Sequence, residues 1–532
     1  MFIINGKRLI RFFLAMVFFA LTSIFCHPAF AESEQQAITN HPHPLSLWQQ
    51  PGVFRFSFEN IKMPDHRPNM DLMGIQYYAD ITPHFYAGMG GYGPVSGNSS
   101  GLFTVNVGGG LRTELFPHWI GDVGMDVGGT GGRSSVVGDG LMLRPHIGIM
   151  YAWKAVHIGL DFNDIYFPKG DIHSQQIGLI IDVPTEFSYT NSHDGDDTLF
   201  KPKDILLSLK NYLGVQRNDF GLFISGYFQH PGTKNEGGTT QDNTIELLGG
   251  EINHYVTEKS FVWLKGSGPI HGIPGGYADI LFGLGYSQPL NLYHAALVSE
   301  VGVGVAGGGG VDVGGGLITQ AQLGLEFPVS SHFSTRINGG YTWSPNGQMR
   351  APILSAEMLY HLNIITIDTK PTTYLFDSLK IQDWRINAFS QTYLRPSRNF
   401  SNINSSISLL AIQIDQLITP RFFFAYQIAA GYNGLFAGGY GTGMLGPGIQ
   451  SKKLLHDHLQ FFAETLVGSG GGGGIAVGSC PLVEPVVGLY YSLTPRIALQ
   501  ASAGQIKTLH GGLNTPILNI GLAVSLGTVR AV

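Results

Sequence analysis

Residues 299–317 read "SEVGVGVAGGGGVDVGGGL". Up to Ala306, Val301, Val303 and Val305 alternate with Glu300, Gly302 and Gly304, and beyond that point glycine dominates. A period of two is that of a β-strand with one apolar face. The G-x-G spacings look superficially like a dinucleotide-binding loop. Such a loop needs a helix after the glycines, within a strand–turn–helix unit. The next run, "LITQAQLGLEF" (317–327), has no helical period, and no phosphate-loop lysine follows the glycines. Nucleotide binding is therefore excluded, and the stretch reads as a hairpin. Ser299 to Ala306 ascends with its valines outward and Glu300 inward. Gly307 to Gly316 forms a loop in which positive φ costs little. Leu317 begins the return strand.

The stretch has two relatives. Residues 122–151 read "DVGMDVGGTGGRSSVVGDGLMLRPHIGIMY", and residues 464–491 read "ETLVGSGGGGGIAVGSCPLVEPVVGLYY". Each starts with an acid, crosses a glycine cluster and runs into a pattern ending in apolar-Gly. Asp122, Glu300 and Glu464 correspond, with steps of 178 and 164, and Gly148, Gly324 and Gly488 correspond, with steps of 176 and 164. The match continues outward. "GPVSGNSSGLF" (93–103) aligns with "GPIHGIPGGYA" (268–278), and "PKGDIHSQQIG", "PNGQMRAPILS" and "HGGLNTPILNI" align downstream. "ITPHF", "VTEKSF" and "ITPRFF" mark the same tight turn in each unit. A repeat this long is the size of a small domain, not of a solenoid repeat.

The first unit contains eight strand candidates, at 53–60, 70–81, 84–92, 101–114, 119–128, 140–152, 155–167 and 173–185. Phe54, Phe56 and Phe58 share one face, with Arg55, Ser57 and Glu59 on the other. Tight turns such as "ITPH" and "LTPRI" lie at one end. Longer Gly-, Ser- and Pro-bearing loops such as "MPDHRPN" and "HPGTKNEGGTTQDN" lie at the other. The expected organisation is a signal peptide at 1–31, a periplasmic N-terminal segment at 32–49, and units at 50–185, 218–366 and 384–532. Polar, Pro-bearing linkers occupy 186–217 and 367–383.

The amino terminus supports export. Lys7, Arg8 and Arg11 precede an apolar run from Phe12 to Phe25, which is too short to span a bilayer as a helix. Ala29-Phe30-Ala31 supplies a small-x-small cleavage site before Glu32. Cleavage there lowers the formal charge from −6 to about −9, which argues against nucleic acid as a partner. Of the 2 cysteines only Cys480 would remain, so neither an intramolecular disulfide nor a cysteine zinc cage can form. Charged residues are only 13% of the chain against 43% hydrophobic, and glycine reaches 74 of 532. No apolar run after residue 31 is long enough for a transmembrane helix. In lipid without helices, only a closed barrel satisfies every backbone group.

In its period-two strands, lopsided connections and turns such as "YSLTPRIAL" (491–499), each unit resembles the small eight-stranded outer-membrane β-barrels of Gram-negative bacteria, of the OmpA or opacity type. The resemblance implies an all-β, antiparallel, up-and-down transmembrane barrel fold of about 24 strands in the cell outer membrane. Short turns and both termini would lie in the periplasm, with lipid and the barrel-insertion machinery as partners. One departure is the ending "LGTVRAV", which lacks the C-terminal aromatic that this machinery reads in such barrels. Three tandem barrels are the expected arrangement, because the chain is poor in charge, its loops are modest and it has no plug. One 24-stranded barrel is the alternative. Pro145 and Pro485 within presumed strands speak for a third arrangement, a soluble exported all-β protein, unless a bulge near the rim accommodates them.

Candidate chemistry is sparse. Asp122, Glu300 and Glu464 are expected on the interior face as structural acids, since one acid per unit does not make a paired-carboxylate site. Their facing candidates are Arg144, Gln320 and Glu484, and only Arg144 could form a salt bridge. His173-Ser174 could suggest a serine hydrolase acting on lipid or peptide at the surface. Adjacent strand residues face opposite ways, however, and the other units carry Arg350-Ala351 and Asn514-Thr515 there. His41 and His43 read as part of a flexible N-terminus. No catalytic, cofactor-binding or metal-binding residue is assigned. The expected function is a non-enzymatic barrel with a structural, passive-transport or surface-interaction role.

Overall fold

The computed structural model describes residues 45–97, 99–132, 134–195, 198–206, 212–273, 275–291, 294–368, 378–399, 404–479 and 481–532. The signal peptide, its cleavage residues Ala29, Ala31 and Glu32, the His41/His43 pair and Cys480 lie outside the described residues.

The chain is all-β and antiparallel apart from short turns of helix and one two-residue parallel pair, Leu45–Ser46 with Ile205–Leu206. In the first third, β1 (Trp48–Ile61), β2 (Met70–Asp80), β3 (Phe85–Pro94), β4 (Phe103–Phe116), β5 (Trp119–Gly131), β6 (Met142–Trp153), β7 (Val156–Tyr166) and β8 (His173–Tyr189) follow in order. The second third holds β9 (Tyr212–Tyr227), β10 (Ile245–Tyr255), β11 (Ser260–His271), β12 (Ala278–Pro289), β13 (Ala296–Gly307), β14 (Leu317–Pro328), β15 (Phe333–Trp343) and β16 (Arg350–Asp368). The last third holds β17 (Leu379–Tyr393), β18 (Ile407–Leu417), β19 (Phe422–Asn433), β20 (Gly441–Gln450), β21 (Leu459–Gly471), β22 (Leu482–Ser492), β23 (Ile497–Thr508) and β24 (Asn514–Ala531).

Every strand pairs with its sequence neighbour within its third. The first and last strands of each third pair as well: β1 with β8 from Trp48–Tyr189 to Phe58–Leu179, β9 with β16 from Tyr212–Asp368 to Tyr227–Ile353, and β17 with β24 from Leu379–Ala531 to Tyr393–Ile517. Hydrogen bonding thus runs in three cycles of eight strands. Single-residue bridges (Ile364–Arg530 and Thr130–Gly431) join the cycles, and the short strand Leu199–Phe200, paired with β17, brings the network to 25 strands.

The opening stretch forms the hairpin of β13 and β14. Glu300 is 5% exposed, whereas Val301, beside it in sequence, is 58% exposed. Gly308 (φ +91°) and Gly310 (φ +77°) hold left-handed conformations in the loop, where a β-carbon would be strained. The interior glycines Gly283 and Gly302 lie under the indole of Trp263, whose Nε1 donates to the Leu284 carbonyl at 3.1 Å.

Thr and Ser explain the tight turns. Phe85 N–H donates to Thr82 Oγ1 at 2.9 Å, Ser260 to Thr257 at 2.9 Å, Phe333 to Ser330 Oγ at 3.1 Å, Phe422 to Thr419 at 3.0 Å and Ile497 to Thr494 at 3.0 Å. The hydroxyl adds to a backbone bond that runs the other way, from the N–H of the Thr or Ser to the carbonyl of the same partner residue, as in Thr82 N–H to Phe85 O at 3.1 Å.

Three details depart from the sequence expectations. The strands run into segments read as linkers, because Leu213, Val215, Ile365, Leu379, Ile381 and Val529 pack with Leu45, Leu47, Phe200 and Ile205 in one apolar cluster. The loop after β5 contains one turn of helix, Ser134–Val137, whose own Val136 and Val137 are buried. Pro145 and Pro485 cause no bulge. Each keeps register with one neighbour, at Met125 and Thr465, and on the other side two ladder pairs are missing without any register change. A missing N–H removes a bond but need not shift a strand.

Candidate functional site

The polar chemistry is concentrated inside the three cycles. In β1, alternation puts Arg55 and Glu59 inward while Phe54 and Phe58 are exposed. Arg55 Nε donates to Asp182 Oδ1 at 2.7 Å, and its Nη2 donates to Asp122 Oδ2 at 2.8 Å. Asp122 also accepts from Tyr86 at 2.8 Å and lies 3.0 Å from His146 Nε2. One level further along, Arg144 is 1% exposed and binds Glu59 Oε1 (2.8 Å), Asp161 Oδ2 (2.5 Å) and Asp126 Oδ2 (3.4 Å). Tyr78 and Tyr92 donate to Asp126 at 2.6 and 2.9 Å.

The second interior repeats the idea with different residues. Lys265 Nζ lies 2.7 Å from Glu251, 2.6 Å from Glu300 and 3.5 Å from Glu357. Arg336 reaches the same three, at 2.6 Å to Glu251, 3.0 Å to Glu300 and 2.6 Å (Nε) to Glu357. The third interior is poorer in cations. Arg385 Nε is 3.6 Å from Asp415, and the same guanidinium bonds Gln450. Glu464 accepts from Gln413 Nε2 at 3.0 Å, and Glu484 from Gln391 Nε2 at 2.8 Å. Much of the rest of this interior is apolar, including Phe389, Phe423, Phe462 and Leu466.

The sequence-derived acids Asp122, Glu300 and Glu464 are all buried and all face inward. Their register is not identical: Glu300 stands opposite Gln322 and Glu464 opposite Val486, but Asp122 stands opposite Gly148. Their expected partners need correction. Arg144 stands opposite Asp126, and Asp122 is held instead by Arg55 from across the cycle. Glu300 is not without a cation, for Lys265 and Arg336 both reach it. Sequence adjacency cannot find such partners, because they come from strands that are not neighbours in the sequence. The signal that was available is the inward position of Arg55, Lys265, Arg336 and Arg385 in the strand alternation.

His173 and Ser174 face opposite ways. His173 points outward, 3.2 Å from Asp164, while Ser174 is buried, accepts from Lys62 N–H at 2.9 Å and donates to Gln176 at 2.7 Å. The two cannot act on one substrate atom. At the long-loop end a cleft of about 890 Å³ lies between the second and third cycles, lined by Thr244, Glu246, His271, Ile273, Asn399 and Ile475 among others.

No family model and no curated protein matches the chain. Among solved structures it is similar to the siderophore receptor PirA from Acinetobacter baumannii (10% identity, 92% of this chain and 81% of that chain, TM-score 0.27). It is also similar to Pseudomonas aeruginosa OpdQ (8%, 90% and 98%, TM-score 0.20) and Acinetobacter baumannii OccAB3 (9%, 90% and 99%, TM-score 0.21). At these identities and scores the likeness assigns no function to the chain.

Proposed function

We propose that the protein resides in the bacterial outer membrane and spans it as three eight-stranded barrels with filled interiors. In this reading it has a structural or surface-interaction role and is neither a wide conduit nor an enzyme. The observation that carries the reading is an inside-out distribution of side chains. Arg55, Arg144, Lys265 and Arg336 are buried within the cycles, while Ile147, Leu160, Ile177, Leu284, Val301, Leu323, Val487 and Ile520 are exposed on their outsides. A water-soluble protein of this size would expose the first set and bury the second.

The dimensions fit. β6 has 12 residues; at roughly 3.3 Å each and a tilt of about 40° it rises about 30 Å, the thickness of a hydrocarbon core. Aromatic residues gather at the tight-turn end, where Phe116, Trp119, Tyr151 and Trp153 are exposed in the first cycle and the rings of Phe333 and Tyr360 meet at a tilt, 5.2 Å apart, in the second. This is where a periplasmic girdle would lie. Both ends of each cycle lie at that same end, so in this reading the termini face the periplasm.

A passive pore needs a lumen. The closing ladders, the ion pairs spanning the first two interiors and the apolar side chains of the third support eight-stranded barrels filled by side chains. The interior acids are accordingly read as structural groups, held by cations or amides, and the His173/Ser174 geometry gives no support to a surface hydrolase. The partners that follow are the lipid bilayer and the barrel-insertion machinery.

Cell fractionation tests the reading. The protein should fractionate with the outer membrane and migrate faster on gels when unheated than when boiled. Recovery as a freely soluble periplasmic protein would overturn it.

A further inference from the structure

Besides the contacts among the closing strands, such as the Ile364–Arg530 bridge and the apolar cluster around Leu45 and Ile365, the three cycles touch one another through a seam of one kind, used three times. In the first seam β13 of the second cycle meets β3 of the first. A β-carbon on Gly93 would stand 2.7 Å from a methyl and 3.1 Å from the β-carbon of Val305. In the second, β21 of the third cycle meets β11 of the second, and a β-carbon on Gly268 would stand 2.7 Å from that of Ser469. In the third, β5 of the first cycle meets β19 of the third, where Thr130 and Gly431 are ladder partners and Gly129 lies against the Ala430 carbonyl.

Each seam therefore joins the fifth strand of one cycle to the third strand of another. The residues also keep the repeat's own steps. Gly129, Val305 and Ser469 are separated by 176 and 164, the steps of Gly148, Gly324 and Gly488. Backbone hydrogen bonds cross two of the seams, Gly132 N–H to the Gly439 carbonyl at 2.9 Å and Gly275 N–H to the Gly478 carbonyl at 2.7 Å. Ser100 Oγ donates to Glu236 Oε1 at 2.5 Å across the remaining one. The glycines that end the fifth strands of the second and third cycles continue the contact, with Gly307 against Gly101 and Gly471 against Gly276.

A head-to-tail interface either closes into a ring or propagates into a filament. Here the second unit covers the first, the third covers the second and the first covers the third, so every donor strand and every acceptor strand is used. We propose that the three barrels form a closed pseudo-threefold assembly within one chain, sealed by these glycine seams, and that no seam is left open to a second copy. The inference rests on the three-barrel reading. It explains the glycine clusters, since only a bare backbone lets two barrel walls approach this closely.

The test uses cysteine pairs in full-length protein carrying Cys480→Ser. The pairs are Gly93→Cys with Val305→Cys and Gly268→Cys with Ser469→Cys; as a control, Ile147→Cys with Leu323→Cys places both thiols outward on different barrels. The seam spacings are a little under the roughly 3.5–4.5 Å of a disulfide, a gap that a small opening of the seam meets. In membranes, mild oxidation should cross-link each seam pair within one chain in most molecules and leave the control unlinked. Failure to link in protein that still shows the folded band, or links between two chains, would overturn the ring and leave the barrel reading intact. Sedimentation of the unsubstituted protein in mild detergent needs no substitution. One chain per particle supports closure; dimers or a ladder of larger species refute it.

Discussion

Arg55 Nε donates to Asp182 Oδ1 at 2.7 Å, and the two residues are also direct ladder partners where β1 meets β8. The ion pair thus sits on the seam that closes the first cycle. Its guanidinium also reaches Asp122, tying the closing strands to β5 on another wall. Asp182→Leu leaves Arg55 with a single carboxylate and takes one of two from Arg112, which lies 3.2 Å away. Removing one partner of a buried pair costs about 3–5 kcal/mol. The urea midpoint for loss of the folded gel band should fall accordingly. An unchanged midpoint would show that the pair plays no part in closure.

The outward-facing apolar side, proposed above to meet lipid, makes an opposite kind of prediction. Ile147 is 60% exposed and lies midway along β6. Ile147→Arg should cost about 2–4 kcal/mol when the protein is refolded into bilayers, the range for arginine at the midplane of a barrel. On the surface of a water-soluble protein the same change stays within about 0.5 kcal/mol. A negligible effect would argue against membrane burial of this face.

The interiors should differ in their dependence on single cations. Arg336 serves Glu251, Glu300 and Glu357, whereas Arg385 has one carboxylate at 3.6 Å and the amide of Gln450. Arg336→Met should therefore speed proteolysis of the second unit much more than Arg385→Met speeds that of the third. Equal effects would mean that interior charge is not what holds the second unit.

The turns carry a smaller, repeated contribution. Thr419→Val removes the acceptor for Phe422 N–H and should cost about 0.5–1.5 kcal/mol. Thr82→Val, acting on Phe85, should cost a similar amount, read as matched small shifts in refolding midpoint. A loss several-fold larger at either site would point to a role beyond closing the turn.

Strand positions were legible in the sequence because a strand with one lipid-like face writes its period into local order. The expected hairpin at Ser299–Leu317 matches β14 at its start, Leu317, while β13 begins three residues earlier than expected, at Ala296, and ends one later, at Gly307. The repeat steps were legible for the same reason. Ion-pair partners were not. Asp122 and Arg55 are 67 residues apart, and nothing in either neighbourhood points to the other. Nor was the meaning of the glycines. Gly307 looks like any loop glycine until Gly101, from a different unit, is seen against it. Contacts across a lumen or between units depend on closure, which local periodicity does not encode.

Conductance across a planar bilayer bears most directly on the filled-barrel reading. Interiors spanned by Arg55, Arg144, Lys265 and Arg336 with their carboxylates leave no wide aqueous path. Refolded protein should be silent or give only very small steps. A large, stable conductance from single insertions would contradict three filled barrels and require one wide pore.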